Sequence, residues 1–180
     1  LGIFGGTGFV DAEEVEAAAI GVRTSIELED DQDAGFEMSG RVDPYNLRRF
    51  EEAQDGVYER VCAELRAGEK RSHWMWFIFP QIRGLGKSAM AERFAIESLD
   101  EARAYLEHPV LGGRLRECTS ILNEVEGKTA AEIFGFPDDL KFCSSMTLFA
   151  KAGDEKGSAF EEALRKYFGG EMDRGTLERI

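Results

Sequence analysis

The sequence predicts an all-α protein: a compact single-domain bundle of about seven helices over residues 43–180, preceded by an extension over residues 1–42. Three observations lead there. Apolar residues recur at three- and four-residue steps, the period of one helix face. Start and stop residues punctuate the chain at helical rather than strand intervals. Two short apolar runs, 76–79 and 146–149, are long enough to be strands, but neither is flanked by a hairpin turn signal. A domain of this size buries about two-thirds of its unfolded surface, enough for one core.

The extension is set apart by charge. Residues 1–42 hold ten acids and two bases, a net of −8 out of the chain's −13. Glu27, Glu29, Asp30, Asp31, Asp33 and Glu37 form an acidic run that reads as a solvated linker or tail. Ahead of it, Gly5-Gly6-Thr7-Gly8 reads as a glycine-rich turn between a short strand and a helix over 11–19. The turn is similar to the nucleotide-binding turn of extended short-chain dehydrogenases. Asp11 occupies the place of that family's last glycine, and a carboxylate there repels phosphate. The second strand–helix–strand half is also missing, so no dinucleotide site is expected here.

The helical body begins at Asp43-Pro44, a cap followed by proline at the first helical position. Leu47, Phe50, Gln54, Val57, Tyr58, Val61 and Leu65 then trace one face of a single long helix that stops at Gly68. Ser88 opens a short helix marked by Met90, Phe94 and Ile96. Capping boxes are expected at Ser98/Glu101, Thr129/Glu132 and Ser158/Glu161. Pro109 opens a helix whose inner face carries Leu111, Leu115, Cys118 and Leu122, with His108 at its boundary as a cap or surface residue. Asp138 or Asp139, after Pro137, is expected to cap the next helix. Gly169 closes a helix over 158–168.

Composition excludes several function classes. An acidic surface does not neutralise phosphates, so general nucleic-acid binding is not expected. No stretch approaches the roughly 18 apolar residues of a membrane span. Cys62, Cys118 and Cys143 are far apart and form no CxxC pair, so neither a zinc ribbon nor a thioredoxin motif is available. Reduced thiols and no visible signal peptide fit a cytoplasmic protein. Cys143 is expected to be buried and inert. No metal site or particular cofactor is indicated.

Two segments carry the chemistry. Between Glu69 and Glu92 there is no acid, and Lys70, Arg71, Arg83 and Lys87 give +4 within an acidic chain. Arg83-Gly84-Leu85-Gly86-Lys87-Ser88 combines flexible backbone, two cations and a hydroxyl at a helix start, a suitable anion site. Gly86-Lys87-Ser88 imitates the end of a P-loop, but Gln81 stands where the first glycine is required. His73 is the candidate for proton transfer, Trp76 for stacking, and Gln81 and Arg83 for ligand contact. The bland reading of Trp74, Phe77 and Ile78 is core. In the second segment, Lys141, Ser144 and Ser145 share a helix face and can bind an anion. The order Lys-x-x-Ser is not the Ser-x-x-Lys of penicillin-binding enzymes.

The words His73-Trp74-Met75-Trp76-Phe77-Ile78-Phe79-Pro80-Gln81, Arg83-Gly84-Leu85-Gly86, His108-Pro109-Val110-Leu111-Gly112, Asp138-Asp139-Leu140-Lys141 and Ser144-Ser145-Met146-Thr147-Leu148-Phe149 follow one another in a known order. Residues 43–177 resemble the DUF1810 family of bacterial and fungal proteins. The resemblance implies a compact, mainly helical domain of uncharacterised function and carries no catalytic residues with it. Members are sometimes labelled calpastatin, but calpastatin is a disordered repeat inhibitor and this is a folded helical pattern.

Two readings of function stand at this stage. In the first, the domain binds a small anionic, phosphate-bearing molecule through Trp76, Gln81, Arg83, Lys87, Lys141, Ser144 and Ser145, with His73 beside it. In the second, it is a protein-interaction module without catalytic activity. Convergence of His73, Gln81, Arg83 and Lys141 on one cavity favours the first, and their dispersal over the surface favours the second.

Overall fold

The computed structural model describes residues 43–153 and 156–180. The glycine-rich turn and acidic run of the extension lie outside them. Ten helices form among the described residues: α1 (Arg48–Gln54), α2 (Tyr58–Arg66), α3 (Met75–Ile78), α4 (Ala89–Arg93), α5 (Leu99–Glu107), α6 (Leu111–Glu124), α7 (Ala130–Phe134), α8 (Asp138–Ala152), α9 (Ala159–Phe168) and α10 (Arg174–Leu177). Among these residues the sole β pairing is an isolated parallel bridge between Ile82 and Ile96. The expected fold class holds, with more helices than the sequence suggests. None of the described helices is long and apolar enough to cross a membrane.

One difference lies at the start. The apolar stripe from Leu47 to Leu65 belongs to two helices, not one. The chain breaks at Asp55-Gly56, where Gly56 takes φ +76° and Asp55 is extended. Asp-Gly is a turn pair that overrides the continuing period. Asp43 and Pro44 are not the cap and first residue of that helix: Pro44 lies in a turn, Leu47 holds the cap position of α1, and the Asp43 carboxylate accepts from the N–H groups of Leu47 at 2.8 Å and Arg48 at 3.0 Å from outside the helix.

The core is organised around α8, which packs against α5, α7, α9 and α10. Phe142, Met146, Leu148 and Phe149 are buried on it, together with Ser144, Ser145 and Thr147. A helix buried nearly all round must satisfy its own polar groups. Ser144 and Thr147 do so by donating to the carbonyls of Leu140 and Cys143, one turn back. Aromatic rings carry the packing outward. Phe142 meets Phe79 and Phe134, while Tyr105 bridges Phe50 and Phe149. Such pairs add about 0.5–1.5 kcal/mol beyond their buried area.

The caps divide. Thr129/Glu132 forms the full reciprocal box. At Ser98 and Ser158 the hydroxyl serves the expected N–H, but the glutamate reaches one residue further back, to Glu97 N–H and Gly157 N–H. His108 accepts through Nδ1 from Val110 and Leu111, both at 3.3 Å, so it caps the start of α6 as expected. Neither Asp138 nor Asp139 is the cap of α8. Pro137 holds that position, and the two acids are the first residues inside the helix.

At the α5–α6 corner the chains approach closely. A Cβ on Gly112 would lie 2.0 Å from the Leu106 carbonyl oxygen, which is backbone and does not swing aside. Gly112→Ala is therefore expected to cost at least about 2 kcal/mol, read as a lower urea midpoint.

Candidate functional site

The candidate site is built on the 70–74 segment, and Glu64 of α2 holds that segment. Its carboxylate is 8% exposed and accepts four hydrogen bonds: Arg71 N–H at 2.8 Å, Ser72 N–H at 3.1 Å, Ser72 Oγ at 2.5 Å and the Trp74 indole N–H at 2.8 Å. Burial alone would raise its pKa. The donors, led by Ser72 and Arg71, outweigh burial and hold it at about 2. With Trp74 buried and pinned, Lys70 N–H reaches the Ile133 carbonyl at 2.8 Å and fixes the segment beside α7.

That placement brings Lys70 to α8. The Asp138 carboxylate receives Lys70 Nζ at 2.8 Å on one oxygen and Lys141 Nζ at 2.6 Å on the other. All three side chains are largely buried. Burial pushes the Asp138 pKa up, but the hydrogen bonds and charges of Lys141 and Lys70 prevail and hold it below the ordinary aspartate value. Each ammonium also faces an indole: Lys141 Nζ sits 4.7 Å from the Trp76 ring centre and Lys70 Nζ 5.4 Å from that of Trp74. Against the two indoles stand two cations, Lys70 and Lys141, and two carboxylates, Asp138 between the lysines and Glu64 on the Trp74 indole N–H.

The loop after α3 shares a small cavity with Trp76. Arg83 N–H donates to Ile96 O at 2.8 Å and Ile96 N–H to Gln81 O at 2.9 Å, forming the isolated bridge. Trp76, Gln81, Arg83, Gly84 and Gly86 line a cavity of about 20 Å³ there, closed by Phe94 and Ala95. That volume suits one water molecule. The Arg83 guanidinium pairs with Glu97 in an exposed ion pair. Lys87 is exposed, and Ser88 caps α4 by accepting from Ala91 N–H at 3.1 Å.

The expected convergence on one cavity is met only by Gln81 and Arg83; Lys141 does not line it but sits over the ring of Trp76, which does. His73 is exposed and does not line that cavity. Ser144 is buried and satisfied by its own helix, while Ser145 is fully buried with no partner for Oγ among the described residues. Cys143 is half-buried rather than buried, and burial raises its thiol pKa to about 11, which keeps it protonated. Sequence reasoning missed Glu64, and it assigned Asp138 to capping. It also passed over Phe136 and Leu140, which are 82% and 55% exposed around the start of α8.

A helical body with an indole-flanked Lys–Asp–Lys cluster defines a class by architecture rather than by reaction. A family model described as "Protein of unknown function (DUF1810)" matches residues 44–180, and the chain belongs to that family. Among solved structures it is similar to the conserved hypothetical protein Rv1873 from Mycobacterium tuberculosis. The two are 58% identical with a TM-score of 0.74, over 76% of this chain and 96% of that one. No curated protein matches.

Proposed function

We propose that the domain binds a small anionic, phosphate-bearing molecule on the surface where Lys70, Lys141 and Trp76 meet. The observation that carries this reading is the sharing of Asp138 by two lysines. An ammonium has three donors, and one from each lysine goes to Asp138. The remaining ammonium donors suit a phosphate oxygen. The half-buried Trp76 ring offers a stacking surface for the ligand's body. The water-sized cavity by Gln81 and Arg83 is too small to enclose a metabolite, so this reading places the ligand outside it, against the half-buried Trp76 ring and the partly exposed Lys141. Lys87 is exposed and free to extend the field toward the ligand. His73 is a neighbour in sequence rather than part of this cluster, and no reaction is assigned to it.

A thermal-shift series of phosphorylated nucleosides and sugars at low ionic strength tests the reading. A ligand that binds is expected to raise the melting temperature by roughly 5 °C or more at a hundredfold excess over its Kd. Lys141→Ala and Lys70→Ala are each expected to remove that rise. An unshifted curve across the series, or a rise that survives both substitutions, contradicts it.

The exposed side chains of Phe136 and Leu140 favour a second reading, a protein-interaction surface. It predicts that Leu140→Asp abolishes partner binding and leaves the response to phosphorylated compounds unchanged.

A further inference from the structure

A separate cleft lies between α5, α6 and the start of α9. It encloses about 530 Å³, in the size range of small-molecule pockets, and involves none of the residues discussed above as a candidate site. Its floor is apolar and buried: Leu106 from α5, Ala152 from the end of α8 and Phe160 from α9. Its walls are two helical ridges. Arg103 and Glu107 stand one turn apart on α5, and Arg116 and Ser120 one turn apart on α6.

The guanidinium of Arg116 is held rather than loose. Its Nη1 donates to the Leu106 carbonyl at 3.1 Å. That carbonyl is within reach because Gly112 lets α6 close onto the end of α5. Arg116 therefore presents the rest of its five-donor fork from a fixed position at the cleft wall. Arg103 adds a second guanidinium; its Nη1 pairs with Asp100 at 2.8 Å in an exposed and weak ion pair. Glu107 is the carboxylate among the described lining residues, so the polar wall sets the donors of Arg116 and Arg103 over an apolar floor.

We propose that this cleft is a second binding site, for a small molecule with an anionic head and an apolar body. The head meets Arg116 and Arg103, and the body lies on Leu106 and Phe160. This inference does not depend on the Lys70–Asp138–Lys141 reading.

Phenyl phosphate is the probe, titrated into the full chain and followed by amide resonances. Saturable shifts are expected at Leu106, Ser120, Gly157 and Phe160. Benzyl alcohol, which lacks the charge, and inorganic phosphate, which lacks the ring, are each expected to bind at least about tenfold more weakly. Arg103→Gln, at an exposed position, is expected to weaken phenyl phosphate about tenfold. Ser120→Trp, also exposed, fills the cleft and is expected to abolish the shifts without unfolding the protein. Absent shifts at those amides, shifts confined to Trp76 and Lys141, or affinity unchanged in both variants would overturn the assignment.

Discussion

Glu64→Ala is expected to destabilise the protein by about 3–5 kcal/mol, the upper range for single substitutions, because it breaks a buried hydrogen-bond network. The substitution strands four donors at once, among them the buried indole N–H of Trp74. Each stranded donor costs about 1–3 kcal/mol unless water reaches it. The same carboxylate makes stability depend on pH. Its folded pKa of about 2 lies below the ordinary value of 4.5, so the unfolded chain takes up the proton first as pH falls. The stabilisation is whole above pH 4.5 and is lost as pH falls toward 2. Across that window the wild type is expected to lose about 3 kcal/mol through this group. Urea unfolding followed by tryptophan fluorescence reads both effects. Glu64→Ala should be less stable at neutral pH and should lack this acid component. Loss of the 70–74 anchor also withdraws Lys70 from Asp138, so binding at the lysine cluster should fall with stability.

Arg49→Ala is the second large effect. The Arg49 guanidinium donates to the carbonyls of Tyr45, Asn46, Arg93 and Ala95 and to Glu101 Oε1, the last at 2.6 Å. It clamps the start of α1 to the end of α4 and to α5. Glu101 is 1% exposed, and Arg49 is the cation it pairs with. Removing the arginine leaves a buried carboxylate whose charge has no counterion, at a cost of about 3–5 kcal/mol. Arg49→Lys should recover little of it, because one ammonium cannot span five acceptors. The urea midpoints of the two variants check this. Arg49→Lys is expected to lie closer to Arg49→Ala than to wild type.

The fold was legible wherever the signal is local. Ser88, Ser98, Thr129 and Ser158 each start a helix, and Gly169 ends one, because caps act within a single turn. The break at Gly56 had its signal too, in Asp55-Gly56, but the apolar period ran across it. Glu64 left a smaller trace, a carboxylate set inside the stripe of Val61 and Leu65. The donors that explain it lie seven to ten residues on, in a loop without a period. The candidate site was legible as a charge anomaly and an aromatic word. Its geometry was not, since Lys70 and Asp138 are 68 positions apart in the chain and pair only through the fold. The same holds for Arg83, read as a ligand contact and found paired with Glu97. The Arg103–Arg116 cleft has no sequence signature, because its two guanidiniums belong to different helices and neither lies in a motif.

The chain's two tryptophans provide the direct measurement. Trp74 Nε1–H is buried against Glu64, while Trp76 stands half-buried over Lys141. Their indole resonances are to be followed as phosphorylated nucleosides and sugars are added at low ionic strength. For a compound that binds, the Trp76 signal is expected to shift saturably while the Trp74 signal shifts far less. Replacing both Lys70 and Lys141 by alanine should remove the Trp76 shift. Two indole signals that stay fixed throughout the series, or a Trp76 shift that persists without either lysine, would contradict an anion site at the Lys70–Asp138–Lys141 cluster.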